Sequence, residues 1–147
     1  MELLVVTGMS GAGKSTALAA LADIGFYCVD NIPVLLVPQL VGLLEHTEGE
    51  RRIAVGVDVR EVFHLGAFPE VHAQLVHAGH RVEILFLDAP DDVLVRRFAE
   101  TRRRHPLGEL PDAIGAERAS LRSLATGATA TIDTGGLRAR ELRQMIR

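Results

Sequence analysis

Eight residues near the start, Gly8-Met9-Ser10-Gly11-Ala12-Gly13-Lys14-Ser15, constrain this chain more than any other feature. They satisfy G-x-x-x-x-G-K-[ST] at every fixed position, directly after a β-branched run and at the head of a segment with helical spacing. The physics of that string demands a strand that stops abruptly and a helix that starts abruptly. Its glycines let backbone N–H groups converge on an anion, and the helix start adds unpaired N–H groups and the positive end of its dipole. Lys14 supplies a point charge for outer phosphates, and the Ser15 hydroxyl is placed to ligate Mg²⁺. Lys14 is also the single lysine among sixteen basic residues. The expected phosphate-binding set is Gly8, Met9, Ser10, Gly11, Ala12, Gly13, Lys14, Ser15 and Thr16, with nucleoside triphosphates as ligands.

Around this motif, short apolar runs alternate with helical periods. Strands are expected at Glu2–Val6, Phe26–Val29, Ile53–Val59, Val82–Leu87 and Thr129–Ile132. Helices are expected at Lys14–Ile24, Pro33–Glu45, Ala67–Ala78, Asp91–Arg104, Asp112–Ala125 and Leu137–Ile146. Such alternation predicts a three-layer α/β fold, a five-stranded parallel sheet covered on both faces. With the phosphate motif after the first strand, the kinase-like order 2-3-1-4-5 is expected. A chain of 147 residues is one domain, long enough to form its own core without disulfide or metal.

Composition excludes several classes. The net charge of −3 gives no general attraction for nucleic acid or anionic membranes. The longest apolar run, Ile32 to Leu44, is interrupted by Pro33 and Pro38, so no membrane span is expected. The acidic start does not resemble a signal peptide, and a cytoplasmic location is expected. Cys28 alone cannot build a disulfide framework and is expected in the core. The histidines His46, His64, His72, His77 and His80 show no metal-ligand spacing.

A phosphate loop needs an acid at the end of a neighbouring strand to hold the magnesium shell. Asp58 and Asp88 both end apolar runs. Asp58 is favoured because order 2-3-1-4-5 sets its strand beside the first, whereas Asp88 has a competing use capping the next helix. Arg60 would point to the same side as Asp58 and reach a phosphate. Asp30 and Asn31 either orient a water or acceptor hydroxyl, or cap the helix after Pro33. Arg96, Arg97, Arg102, Arg103 and Arg104 crowd into nine residues. They are expected to form a lid over developing phosphate charge rather than a solvated face, with Arg102 and Arg103 catalytic beside Lys14 and Asp58. Phosphate contacts to RNA are ranked lower, because Phe98 is the one aromatic among them and its spacing points inward. The turn at Thr131–Gly136 either shapes a base pocket or is simply a turn. A guanine-reading N-K-x-D cannot be present, because Lys14 has no lysine companion.

Several of these strings resemble the RapZ/YvcJ family of P-loop nucleotide-binding proteins. The resemblance lies in Gly8–Ser15, Gly25–Pro33, Asp58-Val59-Arg60, Leu85–Ala89 and Glu100–Leu107. It implies ATP and GTP binding with slow Mg²⁺-dependent hydrolysis. The ATP site would fall on Gly8–Ser15, and a second, GTP-assigned segment on Asp58, Val59, Arg60 and Glu61. Family members usually carry asparagine where this chain has Glu61. They are also about twice as long, with a second half credited with small-RNA binding, as in an RNase adapter, and with sensing an amino-sugar phosphate. The resemblance thus implies a nucleotide-binding half. A protein or RNA partner would act through the parent protein, and an apolar face lacking its cover would favour homo-oligomers. Two rival functions follow from the residues themselves: a small-molecule kinase with Asp30 acting on an acceptor, and a non-catalytic module that uses nucleotide as a structural ligand.

Overall fold

The central strand β1, Glu2–Gly8, is the seed of the architecture. Its consecutive residues Val5, Val6 and Thr7 are each 1% exposed or less, although neighbours on a strand point to opposite faces. Both faces of the sheet are therefore covered. In the computed structural model, which describes residues 2–9, 12–45, 52–57, 68–101, 114–119 and 128–135, the chain continues through α1 (Lys14–Asp23), β2 (Tyr27–Val29), a 3₁₀ turn (Val34–Leu36) and α2 (Val37–Glu45). Then follow β3 (Arg52–Gly56), α3 (Phe68–His77), β4 (Arg81–Asp88), α4 (Asp91–Thr101) and β5 (Ala130–Asp133). Residues 114–119 are also helical.

All pairings are parallel and the strand order is β2-β3-β1-β4-β5, as the pattern of elements predicts. Helix α1 packs across β1, β2 and β3, while α3 lies on β4 and against α2. Between them sits a core that includes Leu3, Ile53, Val55, Leu87 and Leu94, all nearly inaccessible. Each such side chain contributes about 1.5–3 kcal/mol on burial, far more than any strand propensity. From β1 the chain crosses towards β2, and from β4 it departs towards β5. The crevice between the carboxyl ends of β1 and β4 is thus the switch point of the sheet, where such folds take their ligands.

Boundaries differ from expectation in instructive places. The helix expected over Pro33–Glu45 is split, with the 3₁₀ turn preceding α2. Pro38 has no N–H to return to Val34, and that carbonyl instead accepts from Val37 in an i→i+3 bond. Phe26 is not in β2, because its N–H closes the end of α1 on the Leu21 carbonyl at 3.0 Å. The helix expected at Leu137–Ile146, and all but 114–119 of Asp112–Ala125, lie outside the described residues. No described helix is long and apolar enough to cross a membrane.

Candidate functional site

The loop leaves β1 by passing hard against β4. A Cβ on Gly8 would lie 2.1 Å from the Leu87 carbonyl oxygen, so only glycine allows this crossing. The next N–H, of Met9, donates to that same oxygen at 3.0 Å. Ala12 N–H returns to the Met9 carbonyl at 3.0 Å, and both Met9 and Ala12 side chains are buried. These two residues therefore shape the loop through groups committed to the fold. Ser10 and Gly11 lie outside the described residues.

Helix α1 starts at Gly13, which is left-handed at φ 107° and offers no side-chain cap. The first bond of its ladder runs from Ala17 N–H to Gly13 O, which sets the N–H groups of Lys14, Ser15 and Thr16 ahead of that ladder. No acidic residue occupies the first turn. An uncapped, acid-free helix start followed at once by a lysine is an electropositive cradle, and an anion is what it suits. Ser15 is exposed at its mouth.

The Lys14 ammonium reaches Asp30, with Nζ 3.4 Å from Oδ1. Asp30 stands just beyond β2 and also accepts the Asn31 N–H at 2.8 Å, Asn31 being at φ 56°. The neighbouring 3₁₀ turn has no side-chain cap, so the structure brings Asp30 to the lysine and not to a helix start. Its carboxylate occupies the space over Gly56 of β3, where a Cβ would come within 2.3 Å of Oδ1. A half-exposed pair of this kind is worth at most about 1 kcal/mol, and a polyphosphate can displace it.

Asp88 is fully engaged elsewhere. Arg118 donates through Nη1 to both of its carboxylate oxygens, at 2.8 and 2.9 Å, and through Nε to Asp91 at 2.8 Å. Burial opposes the Arg118 charge, yet the bonds and proximity to Asp88 and Asp91 outweigh it and hold the guanidinium above its ordinary value. One Asp88 oxygen also accepts the Ala89 N–H at 2.7 Å. The helix-capping use expected for Asp88 is thus replaced by a clasp from residues 114–119, which no local sequence signal marked.

Two further residues make a contact with each other and with the loop that the sequence reading did not anticipate. Thr134, just past β5 and 2% exposed, donates its hydroxyl to the Ala12 carbonyl at 2.8 Å. Arg97 donates to that hydroxyl at 2.9 Å and, through its other amino group, to the Thr134 carbonyl. A signal for Arg97 was available: it follows Leu94 by three residues and Val93 by four, and both are buried, so it shares the inward stripe of α4. Of the arginine run, Arg97 turns to the loop's back while Arg96 is exposed; Arg102, Arg103 and Arg104 lie outside the described residues, as do Asp58, Val59, Arg60 and Glu61. Phe98 is buried, as its spacing predicts. Cys28 is half-buried, donates to the Leu18 carbonyl at 3.3 Å, and has its thiol pushed up by desolvation.

Comparison with known proteins comes down on one family and one fold. A family model described as the RapZ-like N-terminal domain matches residues 1–147. A nucleotide-binding protein of Myxococcus xanthus is 50% identical over 148 residues, which cover 99% of this chain and 51% of that protein. A nucleotide-binding protein of Anaeromyxobacter dehalogenans is 49% identical over 150 residues, with 99% and 51% covered. The chain spans about half the length of these curated relatives. Among solved structures, a gluconokinase from Sinorhizobium meliloti aligns with a TM-score of 0.63 at 14% identity, over 99% of this chain and 89% of that one. A shikimate kinase from Acinetobacter baumannii, in complex with shikimate, aligns at 0.58 and 22% identity, over 98% and 89%. At such identities the likeness is one of fold.

Proposed function

The chain belongs to the RapZ-like N-terminal domain family, and from that premise we propose that it is a regulatory domain that binds ATP or GTP with Mg²⁺ and hydrolyses it slowly. The observation that carries the reading is the uncapped, acid-free start of α1 at left-handed Gly13, with Lys14 directly behind it. Phosphates would be held by the N–H groups of Gly13 to Thr16 and by the Lys14 ammonium. The relatives' description as nucleotide-binding proteins supports the same ligand.

Ser15 and Asp58 are the residues proposed for the metal shell. Asp58 follows Val57, whose N–H still donates to the Val6 carbonyl at 3.0 Å, so it comes directly after a strand segment paired to β1. The rival acid, Asp88, has both oxygens in the grip of Arg118. Bound Mg²⁺ would offset the charge of the transferred phosphoryl group. Asp30 would be freed as Lys14 turns to phosphate and would orient the attacking water. Arg60, Arg102 and Arg103 are proposed to stabilise transferred charge, and Asp58 to Glu61 to extend the nucleotide contacts. The small-RNA and amino-sugar roles implied by the resemblance fall on a second half outside these residues.

Calorimetric titration with MgATP and MgGTP, alongside Lys14→Ala, tests the reading. Wild type is expected to bind, and the variant to lose at least about tenfold in affinity, the scale of one charged hydrogen-bonded contact. Equal affinity would sink it. The Lys14–Asp30 contact favours one alternative, transfer to an acceptor hydroxyl instead of water. Phosphate from ATP appearing on a metabolite and not in solution would promote that kinase reading.

A further inference from the structure

We propose that Thr134, held by Arg97, is a positioning residue for the phosphate loop, acting by fixing the orientation of the peptide that joins Ala12 to Gly13. The proposal rests on the reading of Gly8–Ser15 as the phosphate site and adds to it a control point distant in sequence.

Arginine donates hydrogen bonds and accepts none. Because Arg97 donates to the Thr134 hydroxyl at 2.9 Å, that oxygen must act there as acceptor, and its single proton is left for a carbonyl. Two carbonyls are within reach, Ala12 at 2.8 Å and Asp88 at 3.2 Å. The Asp88 carbonyl already accepts the Thr134 N–H at 2.8 Å, and the shorter contact is to Ala12. Arg97 also grips the Thr134 carbonyl, so one guanidinium fork fixes both the main chain and the side chain of this residue.

A trans peptide is planar, with its C=O and N–H pointing in opposite directions. Pinning the Ala12 carbonyl to Thr134 therefore turns the Gly13 N–H away from Thr134 and the end of β5. Ala12 is held from its other side as well, through its own N–H on Met9. Gly13 itself is left-handed, at φ 107°, and has no side-chain cap bond. Loss of the hydroxyl would let the peptide rotate and misdirect a donor at the very start of the cradle. The same brace fastens the loop to α4, the helix that leads into Arg102 and Arg103.

Thr134→Val keeps the shape and removes the hydroxyl, and Thr134→Ser returns it. MgATP affinity is measured by calorimetry for both, for Arg97→Gln and for Lys14→Ala, at a temperature where circular dichroism finds every variant folded. Thr134→Val is expected to lose about tenfold in affinity, Arg97→Gln several-fold, and Thr134→Ser to bind within about twofold of wild type. A purely structural role would lower the melting temperature of Thr134→Val and leave affinity unchanged, and that result would overturn the proposal. Wild-type affinity in Lys14→Ala would instead overturn the phosphate-site reading, and this proposal with it. Should Thr134→Val not fold, Arg97→Gln decides: unchanged affinity there overturns the positioning role.

Discussion

At the scale of single residues, the site is balanced by a weak contact and made possible by two missing side chains. Lys14 and Asp30 neutralise one another at 3.4 Å in a half-exposed setting. A bond of that strength competes with phosphate without preventing its binding. Asp30→Asn is therefore expected to tighten MgATP by about two- to fivefold, the equivalent of up to about 1 kcal/mol, while phosphate release slows because the water loses its carboxylate base. Calorimetry and a phosphate-release assay check the two effects separately, and unchanged affinity would mean the pair does not compete. Gly56 makes this arrangement possible, since any Cβ there would displace the carboxylate. Gly8 performs the matching task on the other side of β1, where the loop crosses the Leu87 carbonyl.

Between elements, polar clasps decide what each acid and each arginine can do. Arg118→Met would leave Asp88 and Asp91 without their shared cation, at a cost of about 1–3 kcal/mol in urea unfolding. Combining it with Asp88→Asn should cost less than the two changes summed, because the orphaned charge is then gone. Strict additivity would show the clasp to be idle. This clasp also marks where sequence reasoning stops. The strands, their order and the loop were legible because each rests on a local period or string: the buried runs of β1, β3 and β4, the acids opening α4, the glycines of the loop. Arg118 and Thr134 carry no such period, and their roles arise when residues 27 and 122 positions from their partners meet. Asp30 was legible as a choice between two roles; in the fold its carboxylate lies over Gly56 and meets Lys14, and the 3₁₀ turn that follows has no side-chain cap. Arg97 was visible only as part of the arginine run read as a lid, whereas the stripe it shares with Val93 and Leu94 points inward, to Thr134. Pro38 announced the split of the helix after Pro33, once the missing N–H is counted against the carbonyl it would have met.

For the whole molecule, ligand binding and folding share one equilibrium. MgATP at about 100 times its dissociation constant should stabilise the folded state by about 2.7 kcal/mol, raising the melting temperature by roughly 8 °C for a chain of this size. Chelating the metal should remove most of that shift, and differential scanning calorimetry with and without EDTA measures both. A shift indifferent to chelation would point to nucleotide held without Mg²⁺. The brace between Thr134 and Ala12 adds a consequence in time. It joins positions 122 residues apart, and a ribosome adding about 5–20 residues per second needs roughly 6–25 s to pass from one to the other. Throughout that interval the Ala12 peptide lacks this partner. On the role proposed for Thr134, firm capture of nucleotide would then wait until β5 had been made and had joined the sheet.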